Sequence, residues 1–263
     1  MLENIPHKEV EDMSLVCRFI VGDTDFGMGS ILVNNDMLQN YGITTEQLFA
    51  DAAKYAPELR PSEIMSIADV LAQMMGIDVS ELNDQMGVPG NPDIPMYVAS
   101  THDKSNGAGI IAYPGFMEMA AEKIGGDFFV LPSSVHEVIL VPDNGTGDFH
   151  ELEAMVQEVN ATQVDPRDQL SDKVYHYDSK DKVFELAEKF DARKKEKELA
   201  EEKGSVLVAF LAGEDGEMHH DEQNPDVKEL LKLVNGLSSE EFQLVLGSVE
   251  NMVRFANLKK RVV

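Results

Sequence analysis

Apolar and polar residues follow two different spacings along residues 12–160. Some segments are short, apolar and partly β-branched, as strands are: 12–22, 29–33, 96–101, 108–113 and the two halves of 127–142. Others place apolar residues at helical intervals: 44–56, 62–75, 114–124 and 148–160. The chain therefore predicts short strands that alternate with helices.

Capping residues define several of these helices. Thr44 is followed by Gln47, a capping-box pattern that predicts a helix start, and Asp148 occupies the same position before the last helix of the series. Pro57 predicts the end of the first helix, and Gly76 predicts the end of the second.

Paired strands precede a helix three times, in residues 12–56, 96–124 and 127–160. This order predicts an α+β fold with a mainly antiparallel sheet built from hairpin–helix units, with the helices on one face. It argues against a doubly wound fold, in which single strands alternate with helices.

The composition changes after Asn160, and the pattern predicts three parts. Residues 1–181 form the α+β core domain, residues 182–224 a charged helix and an acidic linker, and residues 225–263 a C-terminal helical hairpin. The hairpin contains a second capping box, Ser238 with Glu241. It is too small to be stable alone, so we expect it to dock on the core, on another copy of the chain or on a partner.

Charge is the unusual feature of the composition, because 48 Asp and Glu against 22 Lys and Arg give a formal net charge of −26. Such a charge disfavours direct binding to nucleic acid and to anionic membranes. The first residues lack the basic and apolar regions of a secretory signal, and no apolar run approaches the length of a membrane span. The prediction is a cytoplasmic protein.

The polar cluster inside Asp127–Pro142 supplies the candidate catalytic residues Ser134, His136 and Glu137. Ser134 and His136 share one face of an extended strand, and a hydrolase would need a third group to orient the imidazole. His102, Asp103 and His176 are further candidates for that role. The alternative is that these residues form a turn. Pro132 has no N–H to donate to a neighbouring strand, and serine side chains often hydrogen-bond the backbone groups of a turn.

Metal and cofactor patterns are weak. No His-Glu-x-x-His or cysteine-based zinc spacing occurs, and His219-His220 lie in an acidic stretch that is typical of a solvated linker. Gly145-Thr146-Gly147 lacks the lysine of a phosphate-binding loop. We predict neither a cofactor nor a metal.

The segments DFFVLPSSVHEVILVPD, MVQEVN, LSDKVYHYD and ILVNNDML resemble those of an uncharacterised bacterial family, a domain of unknown function. The resemblance covers roughly residues 1–180 and implies an origin in gut bacteria and their mobile elements. It implies no catalytic residues. Separately, residues 225–253 resemble the helical tails of phage-type repressors, although no helix-turn-helix precedes them here.

Three functional hypotheses follow. The first is a regulatory or mobile-element accessory protein that acts by protein–protein interaction through residues 225–256, with a homo-oligomer as one form. The alternative is a hydrolase that uses Ser134, His136 and Glu137. The third is an acidic mimic of nucleic acid, which needs carboxylates in rows matched to phosphate spacing.

Overall fold

The protein is described from a computed structural model that defines residues 2–24, 27–78, 96–132, 134–145 and 147–212, with 232, 236–238 and 241. The chain divides into two compact units, residues 1–190 and 191–263. Among the described helices, none combines the length and the apolar character needed to cross a lipid bilayer.

The N-terminal part contains two β-hairpins followed by two helices. Its elements are β1 (His7–Val10), β2 (Met13–Val16), β3 (Arg18–Thr24), β4 (Gly27–Leu32), α1 (Asn35–Tyr41) and α2 (Thr45–Leu59). β1 pairs with β2, and β3 pairs with β4, in two separate antiparallel ladders.

The remaining described elements build and cover one larger sheet. They are β5 (Ser62–Ser66), α3 (Ile67–Met75), β6 (Tyr97–Thr101), a 3-10 helix (Gly107–Ala112), α4 (Phe116–Ile124), β7 (Phe128–Leu131), β8 (Val138–Pro142), α5 (Phe149–Thr162), β9 (Tyr175–Asp178), β10 (Val183–Leu186) and α6 (Ala187–Ala212). The strand order is β10-β9-β7-β8-β6-β5, and every neighbouring pair is antiparallel. The predicted α+β class with a mainly antiparallel sheet is confirmed, and α6 is a C-terminal helix.

Helices cover both faces of this sheet, so the prediction of helices on one face is wrong. Phe128 and Val130 pack in one core with residues of α4, whereas Phe129 and Leu131 pack in a second core with Val156 of α5. Successive strand residues point to opposite faces. The continuous apolar run of β7 is therefore explained by a strand that is buried on both sides.

The N-terminal hairpins differ in how they bury their side chains. Val33, Leu38 and Leu48 form a small separate core beneath α1 and α2. In β3 and β4, by contrast, large apolar side chains are exposed to solvent: Phe19, Ile20, Val21 and Ile31. We call these four residues the apolar ribbon. Phe19 lies opposite Ile31 in the register, and its ring meets that of Tyr41 edge to face at 5.9 Å.

The turn of the β1–β2 hairpin contacts residues far along the chain. The Asp12 carboxylate accepts hydrogen bonds from the Tyr175 hydroxyl and, at 3.1 Å, from Ser171 Oγ. Glu11 Oε2 lies 2.6 Å from Lys189 Nζ. Burial, followed by the hydrogen bond to Asp12, raises the pKa of Tyr175, so its hydroxyl keeps the proton that it donates.

The local caps are where the sequence predicts them. The Thr44 hydroxyl accepts from the Gln47 N–H at 3.2 Å, and the Asp148 carboxylate accepts from the His150 N–H at 2.9 Å. Gly76 ends α3 in the left-handed conformation, with φ of 66°. Ser238 and Glu241 form the reciprocal hydrogen bonds of a capping box. The rest of the predicted hairpin 225–256, and the linker 214–224, lie outside the described residues.

Several element predictions are wrong, and pairing partners explain two of them. Residues 62–66 form β5, not the first half of a helix, because they pair with β6. Residues 183–186 form β10 through pairing with β9. Residues 107–112 form a 3-10 helix where a strand is predicted, so the hairpin–helix unit 96–124 does not exist.

The predicted end of the first helix at Pro57 is also wrong. Pro57 lies inside α2, which continues to Leu59. α6 runs through Gly204 to Ala212, so the apolar stretch after Gly204 continues the charged helix.

Candidate functional site

The predicted catalytic serine lies between β7 and β8 and hydrogen-bonds with the backbone there. Ser134 is buried, and its Oγ accepts a hydrogen bond from the backbone N–H of His136 at 3.0 Å. Glu137 contributes its backbone carbonyl, which lies 3.5 Å from the Ser134 nitrogen. The Ser134 hydroxyl oxygen thus accepts a hydrogen bond from the backbone, which is the role that the non-catalytic alternative assigns to the serines.

The His136 imidazole contacts Asn106 and Asp168, not the Ser134 hydroxyl. Its Nδ1 accepts a hydrogen bond from the backbone N–H of Asn106 at 3.1 Å, and its Nε2 lies 3.7 Å from the Asp168 carboxylate. Among the described residues, no hydrogen bond joins the Ser134 hydroxyl to this ring. A serine nucleophile is activated by donating its proton to an imidazole nitrogen. In this conformation Ser134, His136 and Glu137 are neighbours without forming a catalytic relay.

The three other groups considered for that relay lie in separate contacts. His102 Nδ1 is 2.6 Å from the Glu63 carboxylate, Asp103 binds Arg60, and His176 Nε2 is 3.0 Å from the Asp143 carboxylate. None of these contacts orients His136.

His176 is enclosed by aromatic rings in the core of the sheet. Its ring stacks on Phe190 with 3.5 Å between centroids and meets Phe129 edge to face at 5.0 Å. The side chain is fully buried, and its Nδ1 has no hydrogen-bond partner among the described residues. His176 thus packs β9 against the start of α6.

A second polar cluster, of which the sequence predicts only Asp103 as a candidate, holds the loop 102–106 after β6. Arg60, at the end of α2, donates from Nε to Asp103 Oδ2 at 3.0 Å and from its terminal nitrogen to Thr101 Oγ1 at 3.0 Å. The same nitrogen also donates to the second Asp103 oxygen and to the Ser105 carbonyl. The planar guanidinium thus fixes the loop at both ends of its turn.

Ionisation of Asp103 depends on this clamp. Burial disfavours the charged carboxylate, but hydrogen bonds from Arg60, Thr101 and the Ser105 N–H outweigh burial and lower the pKa of Asp103 below its ordinary value. The side chains of Arg60 and Asp103 are 17% and 22% exposed, so solvent screens this ion pair only in part.

The clamped loop has a strained backbone and almost no free space beneath it. Lys104 and Asn106 have φ of 52° and 50°, values that residues other than glycine rarely adopt. A Cβ on Gly107 would lie 2.7 Å from the Thr101 nitrogen and 2.5 Å from the His136 carbonyl oxygen. Strained backbone persists only where surrounding contacts fix it, and such positions cluster at binding sites.

The loop borders a groove of about 670 Å³ that runs beside β5. Apolar side chains on its walls come from β5 and α4, namely Ile64, Met65 and Met119. Its charged side chains are Glu63, Lys104 and Lys123, and the imidazole of His102 also lines it. The groove therefore combines apolar walls with two lysines, at the edge of the sheet.

Metal ligation finds no support in the described part of the chain, where no group of three or more His, Cys, Asp or Glu side chains is arranged to hold an ion. His219-His220 lie outside the described residues. Thr146 also lies outside them, so the Gly145-Thr146-Gly147 motif is known from the sequence only.

Comparison with protein families defines the class to which this fold and site belong. Residues 1–179 match DUF5688, a family of unknown function. The chain belongs to that family, which confirms the resemblance to an uncharacterised domain. No curated protein and no solved structure matches the chain. The bacterial and mobile-element origin stays a prediction.

Proposed function

We propose that this protein acts by binding another protein. The observation that carries the proposal is the apolar ribbon, whose four large side chains lie on a two-stranded ladder with no further strand among the described residues. Two-stranded ribbons are marginally stable in water, and exposed clusters of large apolar side chains are typical of interaction surfaces. A partner that covers the ribbon removes this apolar surface from water.

Residues 225–256 are proposed as a second contact with the partner. Their support is the amphipathic pattern of the sequence, in which Phe242, Val245, Val249 and Met252 recur at helical spacing after the Ser238 cap. Self-association through either surface gives a homo-oligomer, and the experiment below separates that outcome from binding to a different protein.

The test uses the full chain as bait in a lysate of its own host. Three variants are compared with wild type: Val21→Ser with Ile31→Ser in the ribbon, Phe242→Ser with Val249→Ser in the C-terminal segment, and Met155→Ser on α5. Met155 is also an exposed large apolar residue, on α5 and outside the ribbon, so it serves as the control. Sedimentation of each purified variant reports the oligomeric state.

A protein that is captured by wild type and by the Met155 variant, but lost with the ribbon variant, supports the proposal. Loss with the C-terminal variant assigns the second contact. Identical capture and sedimentation by all four chains would contradict an interaction through these surfaces.

A further inference from the structure

We infer that the outer edge of β5, with the groove beside it, is a docking site for an extended acidic peptide segment of a partner protein. The segment binds as an added strand of the sheet. This inference shares with the proposed function the premise of protein binding, but it concerns a different surface, so either can fail alone.

Backbone geometry identifies which groups of β5 face outward. Just beyond the two ends of the β5–β6 ladder, the His102 N–H donates to the Pro61 carbonyl and the Ile67 N–H donates to the Met96 carbonyl. Both bonds continue the register of the two strands. In an antiparallel ladder, residues that bond the neighbouring strand alternate with residues that point away. The N–H and C=O groups of Ser62, Ile64 and Ser66 therefore point away from β6. Among the described strands, β5 has no neighbour on that side.

Lys123 already occupies one position that an added strand would use. From α4, its Nζ donates a hydrogen bond to the Ile64 carbonyl, which confirms that this carbonyl faces the groove. A lysine at a sheet edge normally discourages strand addition. Here an arriving backbone N–H can replace the ammonium at Ile64, and the released ammonium can then pair with a carboxylate of the peptide.

The charge of the groove selects an acidic occupant. Lys104 and Lys123 have no carboxylate partner among the described residues, whereas Lys173, Lys189 and Lys195 each contact one. Two lysines without carboxylate partners in one groove give it local positive charge, although the net charge of the chain is −26. The one carboxylate that lines the groove, Glu63, is hydrogen-bonded by His102. Strand addition supplies affinity through the backbone, and these lysines supply selectivity.

The clamped loop positions the backbone of Lys104 before the peptide arrives. Arg60 fixes the residues on either side of Lys104, through the Asp103 carboxylate and the Ser105 carbonyl. Preorganisation of this kind lowers the entropy cost of binding.

The experiment measures fluorescence anisotropy with a labelled octapeptide of alternating valine and glutamate, mixed with the full chain at about 0.15 M ionic strength. The Debye length there is about 8 Å, so repulsion from distant carboxylates is screened while groove contacts persist. We expect saturable binding, and about tenfold weaker binding of the same peptide with all its backbone nitrogens methylated, because those nitrogens cannot donate.

Charge variants assign the site. Lys104→Glu with Lys123→Glu is expected to weaken binding about tenfold, since two attractive pairs become repulsive. Lys180 is an exposed lysine that follows β9 and does not line the groove. Lys180→Glu reverses one charge there and should leave the affinity unchanged. Equal affinity for a valine-lysine octapeptide, unchanged affinity in the groove variant, or no saturable binding to the wild-type chain would overturn the inference.

Amide exchange on the wild-type chain gives a readout that does not depend on the folding of any variant. Addition of the valine-glutamate peptide should slow exchange at Ser62 and Ile64, whose N–H groups become hydrogen-bonded. Unchanged exchange at both, with the peptide bound, would place the peptide elsewhere and overturn the inference.

Discussion

The central sheet and the apolar ribbon are built from the same residue types and use them in opposite ways. Leu140 of β8 is completely buried between helices, whereas Val21 of β3 is 61% exposed. Burial of a large aliphatic side chain contributes about 1.5–3 kcal/mol to stability, and an exposed one contributes little. The sheet therefore provides the stability of the unit, and the ribbon is free to serve an interaction.

The largest effect is expected at the centre of the sheet. Leu140→Ala removes a completely buried side chain from a strand that is paired on both sides, and should lower the free energy of unfolding by about 3 kcal/mol. Urea denaturation measures the change. Met155→Ala, on the exposed face of α5, is the control. A loss for Leu140→Ala no larger than for the control would show that the sheet is not the stability core.

A smaller loss is expected where the sheet meets the clamped loop. Gly107→Ala introduces a Cβ against the Thr101 nitrogen and the His136 carbonyl, and backbone atoms cannot move aside without breaking their own bonds. We expect a cost of about 2 kcal/mol, measured by thermal unfolding. Gly109→Ala, in the same 3-10 helix but with open space around its Cβ position, should cost far less. Similar losses for both would contradict a close-packed loop.

The ion pair of the loop should make stability depend on pH. The pKa of Asp103 is lowered in the folded protein, so its contribution is complete above the ordinary aspartate pKa of about 3.9 and is lost as pH falls through the folded-state value. Asp103→Asn should cost about 1–2 kcal/mol at neutral pH, and the gap to wild type should narrow below about pH 4.

The pH dependence of that gap is measured by urea denaturation across the acid range. Glu122→Gln removes the same charge from an exposed position of α4 and serves as the control. A gap between wild type and Asp103→Asn that stays constant down to pH 2 would rule out the linked protonation of Asp103.

The smallest effect on stability is expected in the ribbon. Val21→Ser should change the melting temperature by less than the equivalent of about 0.5 kcal/mol, because the side chain is already in water. A loss above about 1.5 kcal/mol would mean that Val21 supports the fold, and the ribbon would then resemble the sheet.

Features that depend on neighbouring residues were predictable from the sequence. The Thr44 and Asp148 caps, the Gly76 stop and the Ser238 capping box each involve groups within a few residues of one another. The antiparallel α+β class also followed from the alternation of segments.

Features that depend on pairing between distant segments were not predictable. Residues 62–66 carry apolar spacing that suits a helix, and only the register with β6 makes them a strand. Arg60 and Asp103 are 43 residues apart, and nothing in either local sequence indicates that they meet. The sequence predicts that Ser134 and His136 share one face of an extended strand, but both lie outside β7 and β8 and hydrogen-bond to backbone N–H groups, which spacing alone does not reveal.

The contact between the first hairpin and β9 has a consequence for synthesis of the chain. Asp12 and Tyr175 are separated by 163 residues. At about 5–20 residues per second, a ribosome needs about 8–30 s to travel between them. During that interval the Asp12 carboxylate has no tyrosine hydroxyl to accept from. The β1–β2 turn therefore gains this contact only after the chain has been synthesised as far as β9.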